Sequence, residues 1–186
     1  PTDSCVRYGT NLAALSFTSD DAAAVSNHVV VLTQLSPDTQ YFYAIGSMAT
    51  LLTGGDTNHF FITSPVPGTA KPTRVWVIGD AGTALPEQIA VRDAFELFTG
   101  LRHTDLWLML GDNAYYSGLD AEYQTAVFDI YTNLLRKSAW WTALGNHDTA
   151  QATEFVDTYP YFDIVTLPKN GEAGGVPSGT EHYYSF

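Results

Sequence analysis

Three stretches decide how this chain is read: Arg74-Val75-Trp76-Val77-Ile78-Gly79-Asp80, Leu106-Trp107-Leu108-Met109-Leu110-Gly111-Asp112, and Ala139-Trp140-Trp141-Thr142-Ala143-Leu144-Gly145-Asn146-His147-Asp148. Each begins as a short, continuous apolar run, the pattern of a strand buried on both faces. Each then ends in glycine followed by an oxygen-bearing side chain. Between the first two, Leu85 to Phe98 has a helical period. Pro86 fits its first turn, Glu87 suits the positive N-terminal end, and Gly100 ends it. Between the second and third, Asp120 to Lys137 predicts another helix, with Tyr123, Val127, Ile130, Tyr131 and Leu134 at helical spacing. The order β-α-β-α-β predicts a mainly parallel sheet with crossover helices. Ligands of such sheets gather beyond the carboxyl ends of the strands. Asp80, Asp112 and Asn146 are therefore expected at one edge, turned there by the glycines before them.

Toward the N-terminus the pattern changes. Ser64 to Thr73 holds Pro65, Pro67, Pro72 and Gly68 without a hydrophobic period, and reads as an interdomain linker. This predicts a first domain over 1–64, a linker over 65–73 and a second domain over 74–186. In the first, Val29–Leu32, Tyr41–Ile45 and His59–Thr63 read as short strands between turn-forming clusters, which predicts an antiparallel sandwich. The run Leu35-Ser36-Pro37-Asp38-Thr39-Gln40-Tyr41 resembles the tyrosine corner of fibronectin type III-like domains, in which the hydroxyl bonds back to the turn. Such a domain is usually longer, so its first strands are expected upstream of Pro1. Beyond Ala150 the pattern weakens to a Gly-rich loop, Lys169 to Thr180, and His182 to Phe186 reads as the start of a further strand.

With 45% hydrophobic and 13% aromatic residues the chain can bury a core, which excludes a disordered tail. No apolar run is long enough for a membrane-spanning helix. Eight basic residues against 20 acidic ones give a net charge of −12, which argues against a groove for nucleic acid. Cys5 is the single cysteine, so neither an internal disulfide nor a zinc knuckle can form.

Gly111-Asp112 and Gly145-Asn146-His147-Asp148 resemble the second and third signature blocks of the binuclear metallophosphoesterases. The general superfamily carries Asp-x-His in its first block. Here that block is Asp80-Ala81-Gly82, and a tyrosine appears instead in Asp112-Asn113-Ala114-Tyr115. That exchange, with a fibronectin-like domain in front, resembles the purple acid phosphatases. The resemblance implies an α/β metallophosphoesterase domain, a β-α-β-α-β part of a sandwich, preceded by a small all-β fibronectin III-like domain. It implies that Asp80 binds a first metal, Asp112 bridges two metals, Tyr115 binds the first as phenolate, and Asn146 binds the second through its amide oxygen. His147 is then the catalytic residue beside the substrate phosphate or the leaving group, while Asp148 receives no direct role. Taken singly, these residues have plainer readings: Asp80 as a turn residue, Tyr115 or Tyr116 as packing, Asn146 as a helix cap, His147 as structural.

The donor chemistry points the same way. A free tyrosine titrates near about pH 10, so a phenolate ligand at acid or neutral pH calls for a strongly acidic metal, Fe(III), which would colour the protein. With a second divalent metal (Fe, Zn or Mn) the cations carry about +5 against about −3 from Asp80, Asp112 and Tyr115, leaving a local excess of about +2 for a phosphate ester substrate. The implied function is acid phosphatase activity, hydrolysis of phosphate monoesters by a metal-bound hydroxide, with His147 protonating the leaving alcohol. A phosphodiesterase or nucleotide hydrolase on the same site, and a non-catalytic binding module, are the alternatives. Family members carry three more metal-binding histidines. His28, His59, His103 and His182 have no matching context, so those ligands are expected beyond Phe186, and the isolated chain is expected to be inactive. The resemblance also implies a secreted or periplasmic location and allows a homodimer.

Overall fold

The computed structural model describes residues 1–150 and 159–186. It divides into two compact units, Pro1–Arg74 with Asn133–Ala139, and Val75–Thr132 with Trp140–Phe186.

The first unit is an antiparallel sheet of β1 (Thr2–Gly9), β2 (Phe17–Val25), β3 (Gln40–Gly46), β4 (Leu51–Gly54) and β5 (Phe60–Ile62). β3 is its centre. β1 runs along one edge from Cys5↔Gly46 to Gly9↔Phe42, while β4 and β5 share the other. Tyr8 and Tyr41 are buried, and Tyr41 stacks on Phe61 at 5.6 Å. The Tyr41 hydroxyl accepts the backbone N–H of Ser36 at 2.9 Å, the lock that the turn-and-tyrosine spacing predicts. In the same unit Tyr43 donates to the Arg136 carbonyl at 3.0 Å, and the Lys137 ammonium lies 5.7 Å from the Phe60 ring centroid.

Two expectations change here. Val29–Leu32 joins no strand ladder; Val29 and Val31 are exposed, and Ser19 Oγ donates to the Val31 carbonyl at 3.1 Å. The described residues of this unit also form one sheet, β2-β1-β3-β4 with β5 on β3, in place of two facing ones.

The second unit contains a sheet in the order β6 (Val75–Ile78), β7 (Leu106–Met109), β8 (Ala139–Thr142). β6 and β7 are parallel, paired from Val75↔Leu106 to Ile78↔Met109. The crossover is α1 (Pro86–Thr99), with proline in its first turn and Gly100 N–H returning to the Glu96 carbonyl at 2.8 Å. One face of the sheet is an aromatic stack. Trp76 lies 4.0 Å from Phe95, and Trp107, fully buried, packs on Tyr131 at 4.7 Å and Trp140 at 5.8 Å. Aromatic rings carry the largest burial gain per residue, which is how a sheet of four-residue strands is stabilised.

The helix expected over Asp120 to Lys137 is broken. α2 (Asp120–Tyr123) widens into a π-helical segment, Gln124–Phe128, and α3 (Thr132–Leu135) follows after a gap. Asp129 N–H reaches five residues back to Gln124 O at 2.9 Å, and Thr132 Oγ1 takes the Phe128 carbonyl at 2.5 Å, bonds that compete with the regular helical ladder. The apolar side chains still reach the interior, since Tyr123, Val127 and Tyr131 are all buried. α4 (Pro160–Ile164) completes the helices. His182 to Phe186 forms no strand. Instead Tyr184 donates to Thr142 O at 2.7 Å and Phe186 stacks on Trp141 at 4.1 Å. No helix of the described residues is long and apolar enough to cross a membrane.

Candidate metal centre

The exits of β6 and β7 are joined by main-chain bonds that continue past the strands. Leu110 N–H donates to Ile78 O at 2.8 Å, Asp80 N–H to Gly111 O at 3.2 Å, Gly82 N–H to Asp112 O at 3.2 Å, and Tyr115 N–H to Gly82 O at 2.8 Å. This zipper holds the two aspartates and the tyrosine side by side. Both aspartates leave their strands with positive φ, 52° at Asp80 and 51° at Asp112. Few side chains other than the short Asp and Asn tolerate that region. β8 delivers the third loop. At Gly145 a Cβ would lie 2.1 Å from both the backbone nitrogen and Oδ1 of Asp112, so only glycine allows the approach.

Asp80, Asp112, Tyr115 and His147 come together. The Tyr115 hydroxyl donates to Asp112 Oδ2 at 2.9 Å and lies 3.3 Å from Asp80 Oδ1. His147 N–H donates to Asp112 Oδ1 at 3.0 Å, and the His147 and Tyr115 rings are 4.4 Å apart. Asn146, exposed, is carried into the same loop between Gly145 and His147; among the described residues no hydrogen bond joins its side chain to the cluster.

A proton therefore stands between two carboxylates. Burial, then the hydrogen bonds and charges of Asp112 and Asp80, push the Tyr115 phenol well above the ordinary tyrosine value. Without a cation the phenol keeps its proton. A cation in its place would satisfy three hard oxygen donors at once, and the donor set fits a hard or strongly acidic metal. Among the described residues no three His, Cys, Asp or Glu side chains form such a group, and the set here depends on a phenol. Three of the remaining described histidines have partners away from this cluster. His28 faces Ser4 Oγ at 2.6 Å, His59 faces Asp56 at 2.9 Å, and His182 faces Thr180 at 2.7 Å.

The family model for calcineurin-like phosphoesterases matches residues 73–183. The chain belongs to the calcineurin-like phosphoesterase family. Among solved structures, a purple acid phosphatase from yellow lupin (Lupinus luteus) seeds is similar, with a TM-score of 0.65, 15% identity, and coverage of 99% of this chain and 37% of that one. The chain thus spans little more than a third of that structure's length. No curated protein matches the sequence.

In this member of the family, two polar groups organise the loops without belonging to the expected ligand set. Asp148 is fully buried. It accepts Asn113 N–H at 3.1 Å, Asn113 Nδ2 at 2.8 Å, Tyr123 Oη at 2.5 Å and Gly145 N–H at 2.8 Å. The Asn113 side chain, also fully buried, donates to Ala143 O at 2.9 Å and accepts Thr142 Oγ1 at 2.7 Å. Asp148 and Asn113 thus tie the loop carrying Asp112 to the loop carrying His147. The second group is Glu122, which accepts the main-chain N–H groups of Tyr116 at 2.6 Å, Ser117 at 3.0 Å and Leu119 at 2.9 Å. Its position three residues into α2 is that of a capping box, but the N-cap is Leu119 where a Ser or Thr would have announced the motif.

Partial burial opposes ionisation of Glu122, but the N–H groups of Leu119, Ser117, Tyr116 and Gly118 prevail and hold its carboxyl below the ordinary glutamate value. A depressed folded value gives stability that is complete above the unfolded value, about pH 4.3, and is lost as pH falls through the folded one. Glu122→Gln is therefore expected to destabilise the protein at about pH 7 and to differ much less from wild type at about pH 3. Urea unfolding at both values tests this. A difference that does not change with pH contradicts the assignment.

Proposed function

We propose that this chain supplies part of a binuclear, metal-dependent phosphomonoesterase of the acid phosphatase type, with a fibronectin III-like domain over 1–64. One observation carries the reading: the Tyr115 hydroxyl shared between Asp112 and Asp80 at the ends of adjacent parallel strands. The family match and the fold shared with a purple acid phosphatase support it.

In this reading Asp80 and Tyr115 would hold Fe(III), Asp112 would serve both ions, and Asn146 would hold the second, divalent one. When bound, the two ions neutralise phosphate charge and lower the pKa of water. The chain's own residues do the rest. The left-handed exits at Asp80 and Asp112 preset the carboxylates, so little reorganisation is needed. His147 donates through Nδ1–H to the Tyr116 carbonyl at 2.8 Å, because a carbonyl can only accept. Its Nε2 is thereby left toward substrate, and the imidazolium form can give its Nε2 proton to the departing alkoxide and return to the neutral Nδ1–H ring.

The test is the full-length natural protein. Purified with iron, it is expected to show a visible phenolate-to-iron band and to hydrolyse phenyl phosphate faster than a matched diester at acid pH. Tyr115→Phe is expected to abolish the band. A coloured Tyr115→Phe protein, or an iron-free, colourless and inactive wild type, refutes the reading.

A further inference from the structure

The short strap between Tyr115 and Leu119 is held from both sides. On one side the Glu122 carboxylate collects three of its main-chain N–H groups, at 2.6, 3.0 and 2.9 Å. On the other, Gly118 sits against the Asp148 main chain so closely that a Cβ would fall 2.7 Å from Asp148 Cα and carbonyl oxygen. Nothing in the strap is apolar enough to fix it by burial alone, since Tyr116 is 70% exposed. Its conformation therefore depends on these polar and steric clamps. The strap's hydrogen bond to the candidate catalytic histidine comes from the Tyr116 carbonyl, which receives His147 Nδ1–H at 2.8 Å, while the Tyr116 ring lies edge-on to the imidazole at 6.2 Å. The ring nitrogens of histidine are distinct, and the bond made by one decides what the other can do.

We propose that Glu122 is a positioning residue for His147: it fixes the strap, the strap presents the Tyr116 carbonyl, and that carbonyl holds the imidazole as the Nδ1–H tautomer. The Nε2 atom is left with a lone pair when the ring is neutral and with a transferable proton when it is charged. The role toward substrate rests on the phosphoesterase reading above; the tautomer does not. Glu122 reaches no reacting atom and acts only through main chain, so a carboxylate here does work that composition and spacing do not reveal.

Long-range proton–nitrogen correlation NMR on the full-length protein, labelled with nitrogen-15 at histidine and loaded with diamagnetic zinc, reads the tautomer directly. The spectrum is taken near about pH 8, where an ordinary imidazole is neutral. The expected result is His147 as Nδ1–H in wild type and a rise of about tenfold in the Nε2–H to Nδ1–H ratio in Glu122→Ala, which is about 1.4 kcal/mol. Glu172→Ala removes a carboxylate that caps a different loop through Asn170, and is expected to leave His147 unchanged. His147 found as Nε2–H in wild type, or an unaltered ratio in Glu122→Ala, overturns the proposal. If Glu122→Ala does not fold, the isosteric Glu122→Gln, which lacks one acceptor, replaces it under the same criteria. Lack of phosphatase activity with an Nδ1–H histidine refutes the proposed function and leaves the positioning intact.

Discussion

Asp112→Asn is expected to lower kcat for phenyl phosphate hydrolysis by the full-length protein by about 1,000-fold or more, about 4 kcal/mol in activation free energy. The two oxygens of Asp112 have separate duties. Oδ1 receives His147 N–H at 3.0 Å, and Oδ2 receives the Tyr115 hydroxyl at 2.9 Å. Asparagine keeps the shape and the tolerance for positive φ, but it has one acceptor oxygen and no charge. On the proposed reading, two cations sharing a neutral amide would lose their common counter-charge, so metal content is expected to fall with activity. The substitution leaves the aromatic core untouched, and the variant should remain folded by circular dichroism. A variant that keeps a tenth of wild-type kcat with its metal intact would remove Asp112 from the bridging position.

The second large effect is on stability. Asp148→Ala is expected to cost about 3–5 kcal/mol, the penalty for removing one partner from a buried charged network. Four donors lose their acceptor together: Asn113 N–H, Asn113 Nδ2, Tyr123 Oη and Gly145 N–H. The Asn113 and Tyr123 donors are buried where water does not readily replace the carboxylate, and Gly145 N–H is half-buried. Tyr123 cannot compensate by ionising, because burial, the largest cause raising its phenol, remains when Asp148 is gone. Against a typical domain stability of about 5–15 kcal/mol the loss is severe. Urea unfolding of the full-length variant measures it, and a change below about 1 kcal/mol means that Asp148 does not carry the loops.

The strands that hold the site were legible because each is a compact run of branched or aromatic residues closed by glycine, as in Val75 to Gly79. Val29-Val30-Val31-Leu32 has the same branched apolar run, though no closing glycine, and joins no ladder. Pairing is a non-local event, and local propensity does not contain it. The converse case is β2, whose Ser19-Asp20-Asp21-Ala22 core looks unlike a strand yet pairs with β1 from Thr2↔Val25 to Tyr8↔Phe17. The helix over Asp120 to Lys137 had the right apolar spacing, but the π turn and the threonine hydroxyl bond that break it depend on single polar groups. At the site, the glycine-then-aspartate endings showed where Asp80 and Asp112 would gather. Asp148 and Glu122 were hidden for one reason: both act on main-chain amides, and an amide has no residue-specific mark in a sequence. The Asn113–Asp148 bonds join positions 35 residues apart.

The left-handed backbone at Asp80 and Asp112 narrows the alphabet these positions can use. Glutamate has the same charge and the same oxygens, yet its longer side chain cannot bond locally to ease that conformation as aspartate does. On the proposed reading, the choice of residue at both sites is filtered twice, by coordination and by the main chain, and the second filter operates before any ion arrives. A carboxylate moved here from an unrelated scaffold would have to inherit the bend along with the charge.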